Sequence, residues 1–246
     1  MRLEDLPAVS GVPTVTAARM ARADRIATLE LGVPKVALME NAARQVATVA
    51  RLMLGGVAGR RIVALAGRGN NGGDALAAVR LLHGWGADAR AIIAHDPQRM
   101  RPLAREQATT LEKIGVRVAR SDTADEELVA ADLVLDGLLG YSGSGAPRED
   151  IAPLIRAANR SRAPILAIDL PSGLHPDSGE PQGVAIRAAV TVTLALPKVG
   201  LIVTSSPSLV GELVLADIGI PAAAHERADL DVARLFGESD LVRVVR

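Results

Sequence analysis

Short, almost wholly apolar runs alternate along the chain with longer segments in which apolar residues recur at helical spacing. An uninterrupted apolar run of this kind is typical of a strand buried on both faces of a parallel sheet. We predict strands at 62–66, 89–94, 116–118, 133–136, 165–169, 190–196 and 212–216. Strands that alternate with helices indicate right-handed crossovers. The pattern therefore predicts an α/β fold, a three-layer α/β/α sandwich with a mainly parallel sheet.

Two helices are predicted before the first of these strands. The first covers residues 15–26, with Thr14 as its N-cap, and stops at Gly32. The second follows Pro34, covers residues 35–54, and ends at the glycine pair 55–56. Its predicted apolar stripe consists of Val36, Met39, Ala43, Val46 and Val49 or Ala50.

Helices are also predicted between the later strands. One begins near Gly72, another covers 102–114, and a third covers 151–159 with Pro147 at its start. The segment after Pro221 is charged and weakly patterned, which predicts a peripheral helix or a loose end. No repeat or low-complexity linker divides the chain, so we predict one domain over residues 1–246.

A glycine-rich loop joins the first predicted strand to the helix that follows it. Gly67, Gly69 and Gly72 have the spacing G-x-G-x-x-G, which lets the backbone turn tightly and approach a ligand. The helix that begins here directs free N–H groups and its positive dipole end into the same space, which suits a phosphate or a diphosphate. The spacing alone fits a structural turn equally well.

Polar side chains follow three of the predicted strands. Asn70, Asn71 and Asp74 follow the first, and Asp136 and Asp169 end two others. A single aspartate at a strand end is most often a cap or a turn residue. Because ligands of open α/β sheets bind at the carboxyl ends of the strands, the combination predicts a binding site at that edge.

Two further segments belong to this predicted site. The glycine-rich loop 140–146 is flexible enough to wrap a ligand, although it also fits a long surface turn. In the segment 169–173, Ser172 places a hydroxyl three residues after Asp169, and Pro171 fixes the turn between them.

Composition excludes several classes of function. The 246 residues carry no net charge, so the electrostatic footprint of a nucleic-acid or membrane partner is missing. The chain has no cysteine, which excludes disulfides and thiolate metal sites. No apolar segment approaches the roughly 18 residues of a spanning helix, and the start lacks a signal core, so we expect a cytoplasmic protein. Only Lys35, Lys113 and Lys198 are lysines in a chain that otherwise uses arginine.

Four motifs in order resemble those of one family. They are Gly-Arg-Gly-Asn-Asn-Gly-Gly-Asp at 67–74, Asp-Gly-Leu-Leu-Gly at 136–140, Asp-Leu-Pro-Ser-Gly at 169–173 and Leu-Pro-Lys-Val-Gly at 196–200. Together they resemble the NAD(P)H-hydrate epimerase family, also called the YjeF N-terminal domain. The resemblance implies a Rossmann-like fold and a stand-alone enzyme that interconverts the R and S forms of hydrated NADH or NADPH. It further implies a homodimer, and a dehydratase supplied by a separate chain.

The resemblance also implies which residues form the site. A potassium ion would be bound by Asn71, Asp136 and Ser172, whose oxygen atoms suit a hard cation. The substrate would be held by Asn70, Asn71, Gly72, Gly73, Asp74, Gly140, Tyr141, Ser142, Gly143, Ser144, Gly145, Ala146 and Asp169. Tyr141 and Ser142 stand where many members of the family have Thr-Gly, so the substrate loop departs from the family pattern here.

The proposed chemistry needs a proton donor and acceptor but no redox partner. Asp169 is our candidate for the acid–base residue, with Lys198 as its charged partner, because an ammonium group is able to lose its proton whereas a guanidinium is not. Lys198 as a simple phosphate anchor fits the sequence equally well. Two rival interpretations are a nicotinamide-dependent oxidoreductase with Asp96 on the ribose and a nucleotide-binding module without catalysis. The four histidines receive no role.

Overall fold

A computed structural model of the chain describes residues 2–143, 145–203, 205, 207–230, 232, 235–237 and 239–245. Its first half contains the strands β1 (Ala8–Val9), β2 (Arg61–Ala66), β3 (Asp88–Ile93) and β4 (Val118–Arg120). Its helices there are α1 (Ala17–Arg25), α2 (Lys35–Leu54), α3 (Asn70–Gly84) and α4 (Pro102–Lys113). The predicted boundaries of α2 are confirmed to the residue, with Gly55 in the left-handed region after its last turn.

The second half continues the alternation of strands and helices. Its strands are β5 (Leu133–Gly137), β6 (Ile165–Ile168), β7 (Val190–Leu194), β8 (Glu212–Ala216) and β9 (Leu241–Val244). Its helices are α5 (Ala124–Val129), α6 (Ala152–Arg160), α7 (Val199–Val203), α8 (Pro207–Val210) and α9 (Ala222–Arg227).

The strands form one sheet in the order β1-β9-β8-β7-β6-β5-β2-β3-β4. Every pairing is parallel except that of β8 with β9. Alternate residues of β2 face opposite sides: Ile62 and Ala64 pack with α2, α3 and α4, whereas Val63 and Leu65 pack with α5 and α6. Both faces of the sheet are therefore covered by helices, which confirms the predicted three-layer sandwich.

Several local predictions were wrong. Thr16, and not Thr14, caps α1, because its hydroxyl accepts the Arg19 N–H at 3.3 Å. The helix predicted to start at Pro147 begins at Ala152 and carries Pro153 in its first turn. Val36 is 45% exposed and lies outside the apolar stripe of α2. These errors share one cause, since a single suitable residue near an element's end does not fix where the end lies.

Two further corrections concern strands. The strand predicted at 116–118 lies instead at Val118–Arg120. The Val116 N–H donates to the Leu111 carbonyl near the end of α4 and so does not pair with the sheet. The charged tail after Pro221 forms α9, as predicted, but it then adds β9 to the sheet. Strand β9 lies between β8 and β1 and joins the two ends of the chain.

Candidate active site

The predicted site residues meet at the carboxyl edge of the sheet, at the point where the strand order reverses. Strand β2 lies between β3 and β5, so the chain leaves β2 toward one side and returns through β5 on the other. The loops after β2 and β5 therefore border a crevice, which is the position where open α/β sheets bind ligands. The segments after β6 and β7 complete its wall.

In the glycine loop after β2, Gly67 and Gly72 are closely packed, whereas the space beside Gly69 is open. A Cβ at Gly67 would lie 1.9 Å from the Leu138 carbonyl oxygen, and one at Gly72 would lie 2.0 Å from the Gly67 carbonyl oxygen. A Cβ at Gly69 would meet no atom within 4 Å. Gly69 is also the N-cap residue of α3, and no side chain caps this terminus. The loop thus offers a ligand bare backbone at Gly69 and the N–H groups of α3.

The three predicted potassium ligands lie together around the backbone of one residue, Leu139. The Ser172 hydroxyl donates to Asp136 Oδ1 at 2.6 Å and accepts the N–H of Leu139 at 2.9 Å. The Asn71 amide donates to the carbonyl of Leu139 at 3.0 Å. Asn71 Oδ1 is buried without a hydrogen-bond partner among the described residues. A buried, unpaired carbonyl oxygen of this kind is a group that a bound cation would satisfy.

Asp136 is the fully buried carboxylate of this group. Burial raises the pKa of Asp136 to about 6, against hydrogen bonds that it accepts from Ser172 and Leu138. Because burial penalises the charged form, a cation beside the carboxylate would offset that penalty. The chemistry of the donor set therefore fits a hard, singly charged ion. No cluster of three or more His, Cys, Asp or Glu side chains suited to a metal occurs in the described part of the chain.

Asp169 and Lys198, predicted as a pair, are hydrogen-bonded to each other. Lys198 is 1% exposed, and its ammonium group donates to Asp169 Oδ1 and to the carbonyl of Leu194 at 3.0 Å. Asp169 directly follows β6 and has φ +70°, in the left-handed region. Aspartate tolerates this region better than most residues, and the conformation turns the carboxylate toward β7 and Lys198. A strained residue at a strand end is typical of functional sites.

Tyr141 and Asp24 extend this pair, and the second of them was missed by the sequence analysis. The Tyr141 backbone N–H donates to Asp169 Oδ2 at 3.4 Å, and its ring lies 5.4 Å from the Lys198 ammonium. The Tyr141 hydroxyl donates to the Asp24 carboxylate on α1. Burial raises the pKa of Asp24 despite this hydrogen bond, and burial also raises the pKa of Tyr141. Both groups therefore hold their protons more firmly than they would in water.

Asp74 is a second buried carboxyl in the same place. It lies in the second turn of α3 and is 8% exposed. Burial raises the pKa of Asp74 well above its usual range, and the nearby charges of Asp169 and Asp24 raise it further. Asp24, Asp74 and Asp169 thus lie near one another, and the Lys198 ammonium group is bonded to Asp169. Clustered titratable groups with shifted pKa values are a feature of catalytic sites.

The rest of the predicted substrate-binding set lies along the rim. Gly140 packs against Asn71, with a Cβ position 3.3 Å from the Asn71 Cβ, and the Gly143 N–H is bonded to the Gly140 carbonyl at 2.9 Å. The other rim residues that are exposed are Asn70, Ser142, Gly145 and Ala146, whereas Gly72 and Gly73 are buried. Ser144 lies outside the described residues.

The groups proposed for rival functions have other partners. Asp96 is exposed, caps the turn at Gln98 and pairs with Arg120 at 3.5 Å. His95 is bonded to Asp150 at 2.8 Å, and the His175 ring nitrogen accepts two backbone N–H groups. These contacts give His95 and His175 structural roles. Among the helices in the described part of the chain, none has the length and apolar character needed to cross a bilayer.

Comparison with known proteins identifies relatives of this chain. Residues 35–200 match the family described as "YjeF-related protein N-terminus". An NAD(P)H-hydrate epimerase of Dehalogenimonas lykanthroporepellens is 40% identical over 222 residues, which are 89% of this chain and 87% of that protein. A stand-alone NAD(P)H-hydrate epimerase of Limosilactobacillus fermentum is 34% identical over 82% of this chain and 95% of its own length.

Other relatives are longer. The bifunctional NAD(P)H-hydrate repair enzyme Nnr of Moorella thermoacetica is 41% identical over 84% of this chain, which spans 40% of that enzyme's length. The crystal structure of the yeast protein ynu0 superimposes with a TM-score of 0.83 at 22% identity, over 94% of this chain and all of that one, and shows the same fold. The family match and the extent of these identities show that the chain belongs to the YjeF-related N-terminal family.

Proposed function

We propose that the protein is an epimerase that interconverts the R and S forms of hydrated NADH and NADPH, a repair activity on damaged nicotinamide cofactors. The observation that carries the proposal is the buried ion pair of Lys198 and Asp169 beside the open helix terminus of α3. The relatives that match this chain over most of their own length are named NAD(P)H-hydrate epimerase. This function needs acid–base groups and a dinucleotide site, and both are at the same sheet edge.

The reaction at this site is loss and return of a hydroxyl group. The hydrated carbon bears both a hydroxyl and the ring nitrogen, so the hydroxyl leaves as the nitrogen lone pair forms an iminium, and water returns to either face. Asp169 and Lys198 carry the proton to the leaving oxygen and take one from water that enters on the same face of the ring. A positioned acid–base group of this kind contributes roughly 10²- to 10⁴-fold to a rate.

The substrate's diphosphate is assigned to the N-terminus of α3. The absence of a side-chain cap there leaves backbone N–H groups free, and Gly69 leaves room for the phosphate oxygens. Tyr141 then lies beside the nicotinamide end, because it contacts both Asp169 and Lys198. No oxidant or reductant is required at any step.

A potassium ion held by Asn71, Asp136 and Ser172 is part of the proposal. The unpaired Asn71 oxygen and the buried Asp136 carboxylate support it. The ion would supply positive charge beside Asp136 and would order the Leu139 peptide, from which the substrate loop starts. A homodimer and a separate dehydratase chain stay predictions from the family resemblance, and a cytoplasmic location stays a prediction from the hydrophobic pattern of the sequence.

The assay that tests the function uses an R/S mixture of hydrated NADPH. A dehydratase specific for the S form removes that form, and the remaining R form should then disappear faster with the protein than without it. Oxidation or reduction of the cofactor would instead select an oxidoreductase, and binding without turnover would select a non-catalytic module. Either of these results contradicts the proposal.

Three substitutions at two positions test the acid–base pair in the same assay. Asp169→Asn keeps the shape but removes the base, and we expect turnover to fall by roughly 10²- to 10⁴-fold while substrate still binds. Lys198→Arg keeps the charge but places a larger group in a site that is 1% exposed. Lys198→Met, which fits that space without the charge, is therefore its companion. Full activity in Asp169→Asn would disprove the mechanism, and full activity in Lys198→Arg would reduce the lysine to an anchor.

A further inference from the structure

Inversion at the hydrated carbon requires proton transfer on both faces of the substrate ring. This argument rests on the proposed function. The hydroxyl leaves from one face with a proton, and the water that produces the other epimer enters from the opposite face and must lose a proton there. Asp169 and Lys198 are bonded to each other and form a single proton-transfer unit on one side of the site. A second proton-transfer group is therefore needed on the opposite face of the ring.

Tyr141 places another carboxylate at a defined distance from the first. Its backbone N–H is bonded to Asp169, and its hydroxyl, at the far end of the side chain, is bonded to Asp24. The two carboxylates therefore lie at opposite ends of one tyrosine residue. A substrate ring held between Asp169 and the Tyr141 hydroxyl would turn one face toward each of them.

Helix α1, which carries Asp24, is fixed to the catalytic segment. The Val15 N–H is bonded to the Pro197 carbonyl at 2.9 Å, and the Val199 N–H is bonded to the Val15 carbonyl at 3.0 Å. These two bonds flank Lys198. Immediately after α1 the chain forms a π-helical turn at Ile26–Glu30, and the Thr28 hydroxyl is bonded to the Asp24 carbonyl at 2.8 Å. Turns of this type occur frequently at functional sites.

We propose that Asp24, acting through the hydroxyl of Tyr141, is the second proton-transfer group of the site and serves the ring face opposite Asp169 and Lys198. Lys198, Asp169, Lys35 and Asp74 are the charged groups that interact with Asp24 among the described residues. Burial is the dominant influence on the pKa of Asp24, which is raised. Asp24 is thus suited to take up a proton and return it.

The protons and electrons balance over one inversion. On the first face, the Lys198 and Asp169 pair gives a proton to the leaving hydroxyl. The carbon–oxygen bond breaks with its electron pair on oxygen, water is released, and the ring nitrogen forms the iminium. On the second face, water forms the new carbon–oxygen bond, its proton passes to the Tyr141 oxygen, and Tyr141 passes its own proton to Asp24. The reverse inversion, or exchange with solvent, restores both groups.

Isotope exchange separates this role from a structural one. Each purified epimer of hydrated NADPH is incubated in H₂¹⁸O, and mass spectrometry follows label in the recovered starting epimer and in the inverted product. With Asp24→Asn and with Tyr141→Phe, inversion should fall by roughly 10²-fold or more. The epimer whose hydroxyl faces Lys198 should still exchange its oxygen, because its own face is intact. With Asp169→Asn, exchange should survive in the other epimer instead.

The matched control is Arg22→Gln, which removes an exposed ion pair with Asp229 from the same helix and should leave both rates unchanged. Equal loss of exchange in both epimers with Asp24→Asn and Tyr141→Phe would show a structural role and overturn the proposal. The proposal would also be overturned if Asp74→Asn, and not Asp24→Asn or Tyr141→Phe, lost exchange in one epimer only. That result would assign the second face to Asp74. A parent protein that neither inverts nor exchanges would overturn the proposed function, and this assignment with it.

Discussion

At the scale of single residues, Asp136 links the backbone of two segments, its own and that of Ser172. It accepts the N–H groups of Ser172 and Leu138 as well as the Ser172 hydroxyl, all inside the protein. Asparagine keeps the size of this side chain but presents N–H donors to groups that also donate. Leaving such buried groups unsatisfied costs about 1–3 kcal/mol of stability. The substitution also removes the full negative charge that a potassium ion at this position would require.

We therefore predict that potassium stabilises the parent protein but not Asp136→Asn. At a potassium concentration ten times its Kd, the parent should gain about 1.4 kcal/mol relative to an equal concentration of tetramethylammonium. That gain corresponds to about 2–4 °C in Tm for a chain of this length. Asp132→Asn, at the other end of the same strand, should respond as the parent does. An equal potassium shift in Asp136→Asn would show that the ion binds elsewhere or not at all.

The sequence identified Asp169 and Lys198 as a pair but missed Asp24, and the reason is physical. Asp169 follows an apolar strand, and the topology of parallel sheets directs such ends to one edge. Asp24 lies on a helix rich in arginine and is 117 residues from its partner Tyr141. One local signal was available: Asp24 is adjacent to the buried face formed by Met20, Ala23 and Ala27. A carboxylate at the edge of an apolar stripe is less typical of a solvated surface.

At the scale of elements, the junction of β2 and α3 depends on two glycines for different reasons. Gly67 is packed against the loop after β5, where a Cβ would overlap the Leu138 carbonyl oxygen at 1.9 Å. Gly69 has ordinary backbone angles, φ −89° and ψ −169°, and open space around its Cβ position. One glycine therefore serves the packing of the fold, and the other leaves room for a ligand.

We predict that alanine at Gly67 lowers stability, whereas alanine at Gly69 weakens ligand binding. Gly67→Ala should lower the free energy of unfolding by about 3 kcal/mol or more, since backbone has to move. Gly69→Ala should change it by less than about 0.5 kcal/mol, yet weaken ligand binding by placing a methyl group where the diphosphate approaches. Urea unfolding and titration with NADP measure the two quantities. Equal stability losses in the two variants would contradict the assignment.

Elements with strong local patterns were predictable, and those formed by distant segments were not. The boundaries of α2 and β8 follow from continuous periodicity and from glycines at their ends. Strand β9 has only four residues, one of them the basic Arg243, and β1 has two residues. Their pairing joins Ala8 to Arg243, a contact between segments at opposite ends of the chain that no local pattern encodes. The stability of short strands comes from such tertiary contacts rather than from propensity.

At the scale of the whole molecule, the pKa values of carboxyl groups shift in opposite directions at the two edges of the sheet. At the amino edge, Asp88 accepts hydrogen bonds from Arg90 and Arg61, which lower its pKa. Burial acts to raise the pKa of Glu127, but hydrogen bonds from Arg90 and Arg117 outweigh it and lower that pKa. At the carboxyl edge, burial raises the pKa of Asp24 and of Asp74. Favourable ion pairs thus stabilise one edge, while the functional edge keeps carboxyl groups in an unfavourable environment.

This asymmetry predicts opposite pH dependences for Asp74→Asn and Glu127→Gln. The folded pKa of Asp74 is raised, so the folded state keeps a proton that the unfolded state loses above pH ~4, and stability falls as pH rises through that window. Asparagine lacks this penalty, so Asp74→Asn should gain about 0.5–2 kcal/mol at pH 8 and less at pH 5.

The folded pKa of Glu127 is lowered, so its contribution is present above the unfolded pKa of about 4.3 and is lost as pH falls through the folded value. Glu127→Gln should therefore destabilise the protein at pH 7 and match the parent more closely toward pH 3. Urea unfolding from pH 3 to pH 8 measures both variants against the parent. A loss of stability in Asp74→Asn at pH 8 would show that the buried Asp74 carboxyl group stabilises the folded protein. That result would contradict the prediction.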